Sequence, residues 1–369
     1  MRVGLDARFS SARYDGVGRY VAALLRELLA LPDGPDCVAV WPRDDDPPRH
    51  PLPTPDGHLT ALRPRRGGAP ESPWAQVELP LAARRARLDV WHSPFPAVPL
   101  LVPAPVVLTN HDCIPERFPD YFTRTQRAVY RAGVWSSAKR SRLVIAPSRM
   151  SAEDLTRFYG VKPERIRVVP HGVDPAPPPQ PDAERERRLR LGVSDGYVLI
   201  VGRPRPHKGY SALIRAIAQL PTGARPAVVR VGRPDPRLPD GHEAEAARGG
   251  VVLQALAGID DDDLLALYRG AAVVAVPSVV EGFGLPLAEA LAAGAPVLAS
   301  DIQPLRSVGG ETARYLPDDR DDWPAAISAA LTDSAWQREA RVEGPRRSGQ
   351  FTWTAAAQQT LAVYRDAAA

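Results

Sequence analysis

The 369-residue sequence holds only two cysteines, Cys37 and Cys113. Two thiols exclude a disulfide framework and a cysteine-built zinc site. Lysine is nearly missing: Lys139, Lys162 and Lys208 are the only three among 47 basic residues. Where a bare positive charge is enough, the chain uses arginine. A retained lysine therefore marks a place where a compact, flexible ammonium matters. No run of about 18 apolar residues occurs, which argues against a membrane-spanning helix. The most apolar stretch, Val98–Leu108, is broken by Pro99, Pro103 and Pro105. The opening Met-Arg-Val-Gly-Leu-Asp has no apolar leader core, so no secretory leader is expected and a reducing cytoplasm is the expected compartment. Charge of one sign is also scarce. The formal balance is +4, from 47 basic and 43 acidic residues, too small to argue for nucleic acid as a partner.

What is present is an alternation of short apolar strands and amphipathic helices. Strands are expected at Arg2–Asp6, Val38–Trp41, Leu59–Leu62, Asp89–His92, Val106–Thr109, Leu143–Ala146 and Ile166–Val169. Pro175–Pro181, five prolines in seven residues, reads as an extended linker. The alternation then restarts with strands at Tyr197–Val201, Ala227–Val231, Val251–Gln254, Ala272–Val276 and Pro296–Ser300. Such a pattern predicts an α/β fold with parallel, doubly wound sheets. The expected organisation is one Rossmann-like domain over 1–178, a second over 179–350, a cleft between them, and a closing helix over 351–369. In such sheets ligands gather outside the carboxyl ends of the strands. The residues just after strands therefore carry the functional reading.

Four constellations stand there. Glu281-Gly-Phe-Gly-Leu-Pro-Leu-Ala-Glu289 follows a strand and opens a helix. Its glycines admit a ligand close to the backbone. The amides of Phe283, Gly284, Leu285 and Leu287 are expected to form an anion or hydroxyl site at the helix start, flanked by Glu281 and Glu289. The spacing alone equally fits a loop charge and an ordinary helix glutamate. Gly202-Arg-Pro-Arg-Pro-His-Lys208-Gly209 also links a strand to a helix. Arg203, Arg205 and Lys208 would oppose the helix dipole unless an anion such as a diphosphate joined them, and the unliganded cations are expected to repel one another. Asp15-Gly16-Val-Gly18-Arg-Tyr20 opens the first helix, too far past the first strand for a dinucleotide fingerprint. His92 ends one strand, and His111 ends another with Asp112 beside it, so both are expected to face the cleft. His171 reads as hinge packing. Arg124, Arg127 and Arg131 form one helix face, fitting either solvent or an anionic surface. Asp260–Asp263 reads as an acidic helix start.

With these residues in view, the chain resembles the retaining GT-B glycosyltransferases of family 4. The resemblance runs over nearly its whole length and rests most on the Glu281…Glu289 motif. Val168-Val-Pro-His-Gly-Val-Asp174, Ala146-Pro-Ser-Arg149 and Thr109-Asn-His-Asp112 match family segments, the last resembling a mannosyltransferase-like subgroup. The glycine loop departs from the family pattern at Asp15. The resemblance implies a nucleotide-diphosphate sugar as donor, GDP-mannose or a UDP-sugar, and a hydroxyl acceptor. It implies that Arg203 and Lys208 hold the diphosphate in place of a metal, with no cofactor. Gly202, Phe283, Gly284, Leu285 and Glu289 would bind the donor, and Glu281 would hold sugar hydroxyls. Gly16 and Gly18 would also touch the donor near the reacting centre, His111 would act there with Arg203, Lys208 and Glu281 as a catalytic residue, and Asp112 and His92 would lie on the acceptor side. Location would be cytoplasmic, and the Arg124, Arg127 and Arg131 face leaves peripheral contact at the inner membrane face open.

Two other readings fit parts of the chain. A Rossmann oxidoreductase would need GxGxxG after a strand, which is missing, although Asp44 supplies an acid after the second strand. A non-catalytic nucleotide-sugar binder on the same fold would share every motif above.

Overall fold

We describe the protein from a computed structural model, over residues 1–10, 15–42, 50–66, 72–234 and 241–369. Asp44 lies outside the described residues. The chain divides into two compact units. The first is Met1–Gly172 with Phe351–Ala369, and the second is Val173–Gln350. The division falls ahead of residue 178 because the proline-rich stretch already belongs to the second unit. There the Arg269 guanidinium donates to the Pro177 carbonyl and to Glu184.

The first unit carries a sheet of seven strands. They are β1 (Arg2–Leu5), β2 (Asp36–Val40), β3 (Leu59–Leu62), β4 (Val90–Ser93), β5 (Val106–Thr109), β6 (Leu143–Ala146) and β7 (Ile166–Val168). Their order is β3-β2-β1-β4-β5-β6-β7, with every pairing parallel. The second unit carries β8 (Val198–Val201), β9 (Val228–Val231), β10 (Leu253–Leu256), β11 (Val273–Val276), β12 (Val297–Ser300) and β13 (Arg314–Leu316). Their order is β10-β9-β8-β11-β12-β13, again parallel throughout. Every residue of β4, β5, β6, β11 and β12 is buried. Parallel strands are covered on both faces, which is why these segments are apolar runs rather than alternating ones. Trp91 fills the first core, and Leu213, Ile217 and Trp323 line the second.

Both sheets reverse direction once. Chain order runs outward from β1 through β2 to β3, then restarts at β4 on the other side of β1; β8 and β11 make the same break. Ligands in doubly wound sheets bind at such a break, where the loops diverge.

The alternation left out β13 and the helices Pro181–Arg190, His242–Arg248, Gln303–Gly309 and Ser334–Ser348. These have little apolar periodicity of their own. Pro181–Arg190 is held by ion pairs, Arg187 reaching Asp262 at 2.8 Å and Asp263 at 2.9 Å. Ser334–Ser348 contains Gly344, yet it packs closely: a Cβ there would lie 2.8 Å from the Leu291 carbonyl oxygen. The closing helix, Trp353–Ala368, is capped by the Thr352 hydroxyl, which accepts from the Ala355 amide at 3.0 Å. It joins the first unit through Thr354 with Glu27 (2.7 Å) and Arg365 with Asp33 (2.5 Å).

Candidate functional site

In the second unit the loops after β8 and β11 leave adjacent strands at the sheet's break, and they are bonded together. The Val279 amide donates to the His207 carbonyl at 2.9 Å. Gly209, at φ +71°, sits where any side chain would strike Pro277: a Cβ would lie 2.0 Å from its carbonyl oxygen. This clamp brings together two residues 73 apart in sequence. Lys208 Nζ donates to Glu281 Oε1 at 2.7 Å, with both side chains largely buried at 16% and 11% exposure. Burial alone would raise the Glu281 carboxyl. The Lys208 ammonium and the Ser278 hydroxyl outweigh it and hold the carboxyl below its usual range. Burial, then the charge of Lys208, pushes the neighbouring His207 imidazole down to about 3, so it is neutral. Arg203 and Arg205 stand in the same loop, half-buried. The expected mutual repulsion of unliganded cations is corrected at Lys208, which is neutralised by its carboxylate partner.

Gly202 and Gly284 frame the site. Gly284 caps the helix Leu285–Ala292 with φ +98°, and a side chain there would meet Leu305 at 2.5 Å. Glycine is the residue that takes this conformation without strain. Phe283 is buried beside it. The Leu287 amide donates to the Gly284 carbonyl at 3.0 Å, so it is not available to a ligand, and the expectation that it joined the helix-start site is corrected. Glu289, one turn into the helix, accepts from the Tyr268 hydroxyl at 3.0 Å. Tyr268, Ser278 and Tyr210, whose hydroxyl donates to the Gly202 carbonyl at 3.3 Å, were not singled out in the sequence. For Ser278 the signal was its place in the loop directly after β11. Asp260, which opens the acidic run, caps its helix by accepting from the Asp263 amide at 2.7 Å.

In the first unit the break lies between β1 and β4. Gly16 and Gly18 are in the first turn of the helix Asp15–Ala30. A Cβ on Gly18 would lie 2.9 Å from the Ser10 carbonyl oxygen, so this glycine lets two backbones approach. At Gly16 nothing lies within 4 Å of that position. His92 is fully buried, with Nδ1 at 2.6 Å from the Tyr364 hydroxyl and Nε2 at 2.8 Å from Thr109 Oγ1. Burial pushes it down to about 3, so it is neutral, and of its two ring nitrogens one donates and the other accepts, between the Tyr364 and Thr109 hydroxyls. Contact of His92 with an acceptor is thereby corrected. Its ring joins the sheet to the closing helix.

His111 is also held from both sides. Its Nε2–H donates to the Pro94 carbonyl at 3.0 Å, and its Nδ1 accepts from His171 Nε2–H at 3.0 Å. Burial pushes His111 down to about 4. His171 is lowered well below the ordinary value by burial and by His111. Asp112 Oδ1 accepts from the Ile114 amide at 3.1 Å, closing a tight turn just ahead of the short helix Ile114–Arg117. His111 and Asp112 are half-buried at the carboxyl end of β5, and the polar atoms just described are engaged within the unit.

Known proteins share this architecture. A sequence profile described as Glycosyltransferase Family 4 matches residues 14–177, and one described as Glycosyl transferases group 1 matches residues 182–346. A D-inositol 3-phosphate glycosyltransferase of Xylanimonas cellulosilytica is 36% identical over 238 residues, 61% of this chain and 57% of its own. An MMP alpha-(1->4)-mannosyltransferase of Mycolicibacterium hassiacum is 33% identical over 234 residues, 61% of this chain and 54% of its own. The chain thus spans little more than half the length of these curated relatives. Among solved structures, sucrose-phosphate synthase from Thermosynechococcus elongatus superposes with a TM-score of 0.78 at 21% identity, over 99% of this chain and 98% of that one. The Anabaena protein Alr3699/HepE, in complex with UDP-glucose, gives 0.71 at 18% identity over 99% of each chain. The two profiles together take in nearly the whole sequence, and the fold is the one those structures share: the chain belongs to the family 4 glycosyltransferases of GT-B fold.

Proposed function

We propose that this protein transfers a sugar, with retention of configuration, from a nucleotide-diphosphate sugar to a hydroxyl acceptor, and that the donor binds at the β8–β11 break of the second unit. The observation that carries this reading is the Lys208–Glu281 pair set beside the Gly284 helix start. Cleaving a glycosyl–phosphate bond builds negative charge on the departing phosphate. A fixed ammonium and amide dipoles aimed at it stabilise that charge without a metal. Lys208 Nζ has three N–H donors, and Glu281 takes one, so the ammonium can serve phosphate oxygens while still paired. Glu281, held by Lys208 and Ser278, is suited to accept from sugar hydroxyls, and Glu289 from the ribose. GDP-mannose and UDP-sugars are the donors favoured, since the relatives include a mannosyltransferase and a structural neighbour was solved with UDP-glucose. Buried, free Cys37 and Cys113 accord with a cytoplasmic setting.

A thermal-shift panel of nucleoside diphosphates and nucleotide sugars, run with and without EDTA, tests the reading. One of them at 100 times its Kd should add about 2.7 kcal/mol of stability. That gain is expected to survive chelation: in the acidic run at the start of the helix Asp261–Gly270, Arg187 already engages Asp262 and Asp263. No shift with any nucleotide, or a shift that requires Mn²⁺ or Mg²⁺, would contradict it.

Tyr268 gives a second prediction. Its hydroxyl fixes Glu289, so it is a positioning residue. Tyr268→Phe removes one hydrogen bond and little volume. KM for the donor should rise roughly three- to tenfold with kcat nearly unchanged, because the ribose is bound alike in ground and transition states. A fall in kcat at constant KM would remove Glu289 from nucleotide binding.

A further inference from the structure

Three histidines of the first unit gather round the Tyr20 ring. Its centroid lies 4.8 Å from that of His171, 5.0 Å from that of His111 and 6.3 Å from that of His92. His92 joins the sheet to the closing helix, whereas His171 has so far been read as packing. Gly172, the next residue, is the last of the first unit before the chain crosses, and the chain returns at Phe351. The outgoing and returning segments touch: a Cβ on Gly172 would lie 2.2 Å from the Trp353 amide nitrogen. The buried His171 ring stacks on Trp353, with centroids 6.0 Å apart and planes at 26°. Its backbone and its ring are thus both fixed before it meets His111.

The direction of the hydrogen bond between the two histidines follows from Pro94. A carbonyl only accepts, so His111 Nε2, at 3.0 Å from that of Pro94, carries the proton. Burial keeps the His111 ring neutral, which leaves Nδ1 as its acceptor atom. His171 Nε2, 3.0 Å away, is then the donor. The order runs from His171 to His111 to Pro94, each N–H pointing toward the loop after β4. That loop borders the break between β1 and β4, where ligands of a doubly wound sheet gather. The His111 carbonyl also accepts from the Ser151 hydroxyl at 3.3 Å, in the first turn of the helix Arg149–Tyr159. His111 therefore ties the β4 loop, the β5 loop and this helix together, and its one basic ring atom is covered by His171.

We propose that His171 is a positioning residue, whose N–H holds the His111 ring in the tautomer that pins the β4 loop and so orients the acceptor hydroxyl. The inference rests on the transferase reading above. His111 then serves as a fixed, neutral wall and not as a general base, because a base needs the lone pair that His171 occupies. Stacking on Trp353 and donation to His111 are separate functions of one ring, and substitution can divide them.

His171→Phe keeps a ring against Trp353 and Tyr20 but has no N–H. His171→Gln keeps an N–H donor and gives up the ring. In His171→Phe kcat is expected to fall about tenfold, and in His171→Gln to stay within about threefold of the native value. The donor KM should be nearly unchanged in both, since the donor is assigned to the second unit. A role in packing alone predicts the reverse order, with native turnover in His171→Phe. Native kcat in His171→Phe, or an equal fall in both variants, overturns the proposal. Nitrogen NMR of the histidine rings in the native chain, without substrate, is the second readout. It should show His111 neutral at pH 7 with its proton on Nε2, and a proton on Nδ1 or a charged ring overturns the proposal whatever the kinetics. Should His171→Phe not fold, the NMR and His171→Gln decide, a tenfold loss of kcat in the latter counting against. A native chain that shows this ring state but turns over no sugar nucleotide overturns the transferase reading and this inference with it. Native turnover with variants ordered as packing requires overturns this inference alone.

Discussion

Lys208→Ala is expected to lower kcat/KM by about two to three orders of magnitude, the cost of removing one charge-assisted donor to a developing phosphate charge. Stability should fall as well. Lys208 is the cation against a largely buried Glu281, and truncating one partner leaves that carboxylate uncompensated, a loss of about 2–4 kcal/mol. The sequence alone suggested the opposite sign for stability, because three cations in one short loop ought to repel one another. The ion pair reverses that expectation.

A second substitution separates the two effects. Lys208→Ala combined with Glu281→Gln leaves no buried charge, so the melting temperature should recover much of its loss while turnover stays low. Lys208→Arg keeps the charge but presents a planar fork in place of a compact ammonium, so partial activity is expected. Initial rates against donor concentration, with a melting curve for each variant, decide the matter. Turnover within about twofold of wild type in Lys208→Ala would remove the diphosphate role from this residue.

Lys208 could be found from sequence because two independent signals met on it. Lysine is scarce in the chain, and this one lies between a strand and a helix. Glu281 was legible too, from its own motif, but its pairing with Lys208 was not. Glu281 lies 73 residues away, and only the strand order places β8 beside β11. Alternation of strands and helices predicts parallel sheets, but many strand orders satisfy it, so loop adjacency is set by tertiary packing. The histidines show the converse limit. His92 and His111 were visible as strand-end residues. Which way each ring turns depends on Tyr364, Thr109, Pro94 and His171, which come from distant parts of the chain. The polar helices escaped for a related reason. Pro181–Arg190 is ordered by ion pairs with another helix, and ion pairs leave no periodic apolar trace.

The same histidines make the protein acid-labile at a pH where its carboxylates are still ionised. His92 and His111 titrate at about 3 and about 4 in the folded chain against 6.5 ordinarily, and burial is the main cause for both. His171 is lowered in the same sense. A folded value below the unfolded one means that the unfolded chain takes up the protons first as pH falls. Stability is therefore complete above about pH 6.5 and is lost progressively toward pH 4. Each such histidine costs up to about 1.4 kcal/mol per pH unit once its unfolded form is fully charged, so His92 and His111 together remove roughly 2 kcal/mol between about pH 6.5 and 5.5 and more below it. Against a typical total of about 5–15 kcal/mol, this is a large share. Carboxylates add to it only below about pH 5, nearer their own range. The melting temperature should thus drop steeply between about pH 6.5 and 5 and stay level above about pH 7. His92→Gln supplies the control. Glutamine offers one donor and one acceptor group to the Tyr364 and Thr109 hydroxyls but carries no titrating ring, so the variant should lose about 1.4 kcal/mol per unit from the slope even if it starts less stable at neutral pH. A melting temperature that is flat from about pH 7.5 to 5, or a His92→Gln slope as steep as that of the native chain, would mean that these rings are not held neutral in the folded protein.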